Sequence, residues 1–205
     1  MSQIHSVHLG KYFVPQNMKD AICVDVGGNT GQFAVKYNNY FKQIHIYEPQ
    51  KECYEIIKQN IKGFENIEVF EEAVFHTSNK LVSLLSHHSM DSGSVSVMDD
   101  IITINEWTLN IVNTCKTISL EDIIERAGGY IDYMKIDCEN SEYHLLMDKD
   151  LSKIKYMGLE LHWQMGEKNF YNLVNHISKY FTSNDNLNYP HGYNIEVFFV
   201  SKFNT

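Results

Sequence analysis

Three groups of residues in this chain have types and spacings suited to chemistry. The first is the stretch Cys23-Val24-Asp25-Val26-Gly27-Gly28-Asn29-Thr30-Gly31. An acid is followed by a turn in which Gly27, Gly28 and Gly31 leave no Cβ to keep a ligand from the backbone. Glu48 belongs with it, lying 17 residues past Gly31 and 21 past Gly27. An acid about 20 residues beyond such glycines, at the tip of the next strand, is placed to accept hydrogen bonds from a ribose diol. The second group is Lys135-Ile136-Asp137-Cys138-Glu139, in which strand alternation puts Lys135, Asp137 and Glu139 on one side. The third is Glu160 and His162, which share a face two residues apart. A histidine of ordinary pKa, about 6.5, could accept a proton there, with Glu160 holding the ring or the acceptor.

The charge at the first corner separates two cofactor classes. A nicotinamide enzyme usually shows Gly-x-Gly-x-x-Gly after an apolar strand, whereas this strand ends in Asp25 and the spacing is Asp-x-Gly-x-x-x-Gly. A carboxylate there repels a pyrophosphate but suits an ammonium group. S-adenosyl-L-methionine carries an ammonium and a sulfonium and no phosphate, so the methyl donor is favoured.

Positioning these groups requires alternating strands and helices. Ala21 to Val26 reads as a buried strand, followed by a helix from Thr30 with Phe33, Ala34 and Tyr37 on one face. Gln43 to Tyr47 is a second strand, stopped by Pro49, which holds Glu48 at the carboxyl edge. Lys51 to Ile61 is an amphipathic helix, and Ile67 to Val74 a third strand. Its expected tip, Glu72-Ala73, would lie beside an adenine, with a polar group for the exocyclic amine and a small residue leaving room for the ring. Leu81 to Leu85 and Asn113 to Ile118 are further strand candidates, and Ser119 caps a helix with Leu120, Ile123, Ile124 and Ala127 inward. Tyr130 to Ile136 supplies a strand expected beside the first, where Asp137 would face the transferred methyl group. Lys155 to His162 is another strand, Lys168 to Tyr180 a long helix, and Tyr193 to Val200 a closing strand expected to be antiparallel. The expectation is a single α/β domain over 1–205, a Rossmann-like doubly wound sheet of about seven mostly parallel strands. Residues 1–20 would form a lead-in covering one end of the site, and 86–112 a loop or cap over it.

Composition narrows the partners. The chain has 205 residues, 26 acidic against 17 basic, for a formal net charge of −9. That disfavours nonspecific binding to nucleic acid or anionic membrane, both of which need basic patches. Apolar runs fall short of the ~20 residues that span a bilayer, and the first residues lack a signal-peptide pattern, so a cytoplasmic protein is expected. Cys23, Cys53, Cys115 and Cys138 have no metal-like spacing, and the ten histidines contain no His-Glu-x-x-His. No resident metal is expected, although oxygen and imidazole from Asp137, Glu139 and His162 would suit magnesium or manganese.

The pieces together resemble the FkbM-type methyltransferases, a branch of the class I S-adenosylmethionine-dependent enzymes. The residues carrying the resemblance are Val24 to Gly31, Tyr47-Glu48-Pro49, Glu72-Ala73-Val74, Ser92-Gly93-Ser94, Ser119 to Ile124, Lys135 to Glu139 with Glu142, and Leu159-Glu160-Leu161-His162. The glycine corner is generic to many methyltransferases; Lys-x-Asp-x-Glu with Glu-x-His is more specific. The chain departs at Gly28, where the family usually has alanine, and at Asn140, where a glycine usually follows the glutamate. The resemblance implies O-methylation of a small-molecule or carbohydrate hydroxyl. It gives Asp25, Gly27, Asn29 and Gly31 to the methionine part of the cofactor and Glu48 to the ribose. Two other readings stay open: a catalytically inactive cofactor-binding partner subunit, and an NAD-dependent oxidoreductase. The methyl acceptor and the oligomeric state are not legible.

Overall fold

A computed structural model describes residues 6–9, 12–86, 95–98, 110–139, 141–183 and 195–203. The chain begins with an antiparallel hairpin, β1 (Ser6–Leu9) and β2 (Tyr12–Pro15). Seven strands then build the main sheet: β3 (Ile22–Val26), β4 (Gln43–Tyr47), β5 (Ile67–Phe70), β10 (Ile131–Ile136), β11 (Ile154–Leu161), β12 (Phe181–Ser183) and β13 (Ile195–Ser201). Their order is β12-β13-β11-β10-β3-β4-β5. β3 pairs in parallel with both β4 and β10, and β13 runs antiparallel between β11 and β12. The sheet is therefore the Rossmann-like, mostly parallel one expected, with its antiparallel closing strand. Its switch point lies between β3 and β10, where the order leaves β3 in opposite directions and a crevice opens at the strand ends.

Strand alternation divides the core into two layers. Val24, Val26, Met134 and Ile136 face one apolar cluster, with Leu145, Leu146, Phe170, Leu173 and Ile177. Cys23, Ile44, Ile46 and Tyr133 face the other, with Ala34, Ile57 and Val14 of the hairpin. Among the described residues five helices cover the two sides: α1 (Gln32–Tyr37), α2 (Lys51–Asn60), α3 (Leu120–Arg126), α4 (Glu142–Leu146) and α5 (Glu167–Tyr180). α5 buries Phe170, Leu173, Val174 and Ile177, the i, i+3, i+4, i+7 stripe of an amphipathic helix. Ser119 caps α3 by accepting from the Asp122 amide at 3.3 Å. Among the described residues no helix is long and apolar enough to cross a membrane. All four cysteines carry free thiols, and Cys23, Cys53 and Cys115 are buried.

One expectation needs correction, and another falls partly outside the described residues. The run Ile67 to Val74 is not one strand: β5 ends at Phe70, and Glu72–Val74 is a separate strand, β6. β6 leaves the main sheet for a second, four-stranded sheet ordered β6-β9-β7-β8, with β7 (Leu81–Ser86), β8 (Val95–Met98) and β9 (Asn110–Ile118). The physical reason is a second small core of Ala73, Phe75, Val82, Leu84 and Cys115, which the apolar side chains of these strands close around. Of the expected cap over 86–112, β8 and the start of β9 belong to this sheet, while 87–94 and 99–109 lie outside the described residues.

Candidate active site

Backbone geometry at the β3–α1 turn explains its glycines. Gly27 has φ +74°, and a Cβ there would lie 1.7 Å from the Asp137 carbonyl oxygen. The turn after β3 and the loop after β10 thus touch backbone to backbone. Gly28 is matched to a side chain, since a Cβ would come within 2.2 Å of Ile46 Cγ2. Gly31 is the N-cap of α1 at φ 76° and sits on Ile57. Beside the sequence reading, in which these glycines leave room for a ligand, the structure gives a second reason for them: protein atoms stand where each Cβ would lie. The space of the family's usual alanine at position 28 is filled by Ile46. Gly28→Ala is expected to cost about 1–3 kcal/mol of stability through overpacking, read by denaturant unfolding. A substitution that left the unfolding midpoint unchanged would show that Ile46 can move aside.

The turn is locked to the next strand through Glu48. Its Oε2 accepts from the Asn29 amide at 2.8 Å and its Oε1 from the Gln50 amide at 2.9 Å. Glu48 is buried, and burial pushes its carboxyl up to about 7 despite these amides and the positive charge of Lys135. Beside it an open cleft is lined by Val26, Gly27, Asn29, Tyr47, Glu48, Pro49, Gln50, Glu72, Val74, Asp137, Cys138, Glu139 and Ser141. At one wall the guanidinium of Arg126 holds both oxygens of Glu72, at 2.5 and 3.3 Å, and lies 4.2 Å from the centre of the Phe70 ring, itself stacked on Tyr47. Glu72 therefore reaches the cleft already paired.

Beneath the turn, Asp25 and Lys135 are register partners in neighbouring strands. Lys135 Nζ donates to Asp25 Oδ1 at 2.7 Å and to the Gly27 carbonyl at 3.0 Å, and both side chains are buried. Burial raises the Asp25 carboxyl, with Lys135 pulling the other way. Lys135 thus supplies the cation that the sequence analysis sought in the cofactor, and Asp25 braces the turn from below.

At the end of β11, His162 is almost wholly buried. Its Nδ1 is 2.8 Å from Glu142 Oε1, and its Nε2 is 3.4 Å from Glu139 Oε2 and 3.9 Å from Glu160 Oε1. Burial acts to lower its pKa, but the hydrogen bond and charge of Glu142, then Glu139 and Glu160, outweigh it and push the ring up to about 9. The histidine of ordinary pKa expected from the sequence thus meets three carboxylate neighbours that favour its protonated form. Glu142, not Glu160, fixes its orientation. Because a raised folded pKa favours the folded state, the stabilisation is full below about 6.5 and is lost as pH rises through about 9. The melting temperature is expected to fall between pH 7 and 9.5, and His162→Gln to flatten that slope.

The expected site residues thus separate by place. Gly27, Asn29, Glu48, Pro49, Glu72, Asp137 and Glu139 line the cleft. Asp25, Gly28, Gly31 and Lys135 brace the turn, and Ala73 is packed in the second small core with Phe75, because the strand carrying it belongs to the other sheet. Glu160 and His162 meet Glu139 behind the rim. Asp137, Glu160 and His162 also bring ligand-type atoms within 4.8 Å of one another. Sequence reasoning placed Tyr12 only in the lead-in over one end of the site, without the bond its hydroxyl donates to Asp137 Oδ2 at 3.0 Å, and it missed Arg126 and the role of Glu142. Arg126 and Glu72 are 54 residues apart and share no pattern that announces the pair.

A seven-stranded sheet of this order, with a glycine turn after the central strand and an acid at the tip of its neighbour, is the architecture of the Rossmann-like methyltransferases. It is shared with a methyltransferase FkbM of Methylobacillus flagellatus KT, at 12% identity and a TM-score of 0.54, covering 88% of this chain and 44% of that one. This chain thus spans less than half the length of that relative. TrmK of M. capricolum in complex with S-adenosyl-homocysteine gives 11% identity and a TM-score of 0.49 over 89% of this chain and 62% of that one. No curated protein matches the chain significantly. A model of the methyltransferase FkbM domain matches residues 25–189, and the chain belongs to that family of methyltransferases. Its cofactor is S-adenosylmethionine, and the cleft suits it: Glu48 is held by two amides at the edge, and the charged residues among the described lining, Glu48, Glu72, Asp137 and Glu139, are all acidic.

Proposed function

We propose that the chain methylates a hydroxyl of a small molecule or carbohydrate, with Glu48 binding the cofactor's ribose and Glu139 receiving the acceptor's proton. The observation that carries this is Glu139 on the wall of the same cleft as Glu48, with the Nε2 of the buried His162 3.4 Å behind it. S-adenosylmethionine supplies the methyl group as a sulfonium electrophile. The protein aligns an incoming oxygen with it, and alignment is the larger part of such catalysis. A plain hydroxyl keeps its proton until late, so a carboxylate within reach lowers the barrier. Burial lifts the Glu139 carboxyl above its ordinary range, which makes it a stronger base, while the cationic His162 opposes that shift. Asp137 is the carboxylate that meets the cofactor's positive charge, since Asp25 is neutralised by Lys135.

The acidic wall of Glu48, Glu72, Asp137 and Glu139, together with the net charge of −9, favours an acceptor without phosphate over nucleic acid. The cytoplasm and one domain over the whole chain are part of the same proposal. So is catalysis without a metal: turnover is expected to be unchanged by EDTA, and loss restored by magnesium or manganese would instead place an ion between Asp137, Glu160 and His162. The testing experiment is transfer from methyl-labelled donor into cell extract, separated into small-molecule and macromolecular fractions. Label in a base-stable ether of the small-molecule fraction is expected. Binding of the donor with no transfer into any fraction would favour the inactive partner subunit, and binding of NAD the oxidoreductase.

A further inference from the structure

We propose that Tyr12, on the N-terminal hairpin and outside the region matched to the family, is a positioning residue that fixes the Asp137 carboxylate toward the aminoacyl end of the cofactor. The inference rests on the reading of the cleft as the cofactor site. β2 is anchored at two backbone carbonyls: Tyr133 of β10 donates to the Phe13 carbonyl at 3.1 Å, and Tyr40, just after α1, to that of Pro15 at 3.0 Å. Gly158 makes room for this seating, since a Cβ there would lie 2.3 Å from the Tyr133 hydroxyl and 3.1 Å from Tyr12 Cδ1. So held, the Tyr12 ring is buried edge-on to Phe33 of α1, with Lys135 Nζ 5.6 Å from its centroid. Its hydroxyl reaches across 125 residues of sequence to Asp137 Oδ2 at 3.0 Å.

Asp137 stands just past the end of β10, where its side chain can turn, and its backbone carbonyl packs on Gly27. A hydrogen bond to one oxygen from a tyrosine whose own ring is wedged restricts that rotation. The carboxylate is then held in one orientation toward an ammonium or sulfonium in the cleft. A carboxylate ordered in advance binds more tightly than one ordered by the ligand. The effect should depend on which part of the ligand is present, as a merely structural tyrosine would not require.

Calorimetric titration with S-adenosylhomocysteine and with 5′-methylthioadenosine, which lacks the aminoacyl end, tests this. Tyr12→Phe keeps the ring and is expected to weaken S-adenosylhomocysteine about tenfold, while 5′-methylthioadenosine changes by less than about twofold. In an Asp137→Asn background the same replacement should have little further effect, because the negative charge that Tyr12 orients is gone. Equal weakening of both ligands, unchanged affinity for both, or an undiminished effect in the Asp137→Asn background would each overturn the proposal. If Tyr12→Phe fails to fold by circular dichroism, Asp137→Asn alone decides: it must weaken S-adenosylhomocysteine selectively. Wild-type protein that binds neither ligand would overturn the cofactor reading itself.

Discussion

Glu139→Gln is expected to lower turnover by roughly 10²–10⁴-fold, the range for loss of a general base, with affinity for S-adenosylhomocysteine nearly unchanged. The amide keeps the shape of the side chain and its place on the cleft wall beside His162, but it cannot take a proton. Its pH signature follows from the direction of the shift. The Glu139 carboxyl is raised, by burial first and then by Asp137, Glu160 and Glu142. The wild-type rate should therefore fall on the acid side at a higher pH than an ordinary glutamate would give. Replacing His162 by alanine should act in the same steady-state assay through Glu139, by removing the cation that holds it ionised, and move that acid limb further upward. A Glu139→Gln enzyme with wild-type turnover would place the proton elsewhere, on Asp137, Glu160 or solvent.

Glu48→Ala is expected to produce the largest loss of cofactor affinity. Each hydrogen bond between a charged group and a ligand hydroxyl is worth roughly 1.5–3 kcal/mol, so two to a ribose diol correspond to a loss of at least two orders of magnitude. The structure adds a second cause: the same carboxylate accepts from the Asn29 and Gln50 amides, so its removal also loosens the turn. Glu48→Gln separates the two causes only in part, because an amide can satisfy one N–H and not both. Wild-type affinity should itself weaken as pH falls below about 7, where the buried Glu48 becomes protonated. By the linkage sign, its folded carboxyl lies above the unfolded value, so ionising Glu48 costs stability between about 4.5 and 7 and bound cofactor offsets that cost.

The backbone of this fold was legible because its signals are local. Apolar runs such as Ala21 to Val26, the stripe on α5 and the Ser119 cap each announce themselves within a few residues. The order of β3, β4 and β10, and the antiparallel β13, followed from the glycine turn and the family's motifs. What was not legible depends on contacts between distant segments. β6 leaves the main sheet because Ala73 finds Cys115 and Val82, and no pattern within Ile67 to Val74 reveals those partners. Likewise Asp25 has the right type for an ammonium, yet its ammonium comes from Lys135, 110 residues away. His162 had the right residue type for a base, but three glutamates, two from the stretch after β10 and one from the end of β11, act on its charge. Residue chemistry can be read from sequence; the protonation state of a buried cluster is a property of the assembled neighbours.

The central claim, that the cleft edged by Glu48 is the site of the methyl donor, is tested most directly by calorimetric titration of the wild-type protein with S-adenosylhomocysteine and, separately, NAD at pH 8, where Glu48 is ionised. The account predicts one-site binding of S-adenosylhomocysteine, lost in Glu48→Ala, and no heat from NAD. Binding of NAD in preference, or S-adenosylhomocysteine binding that survives Glu48→Ala undiminished, would contradict it.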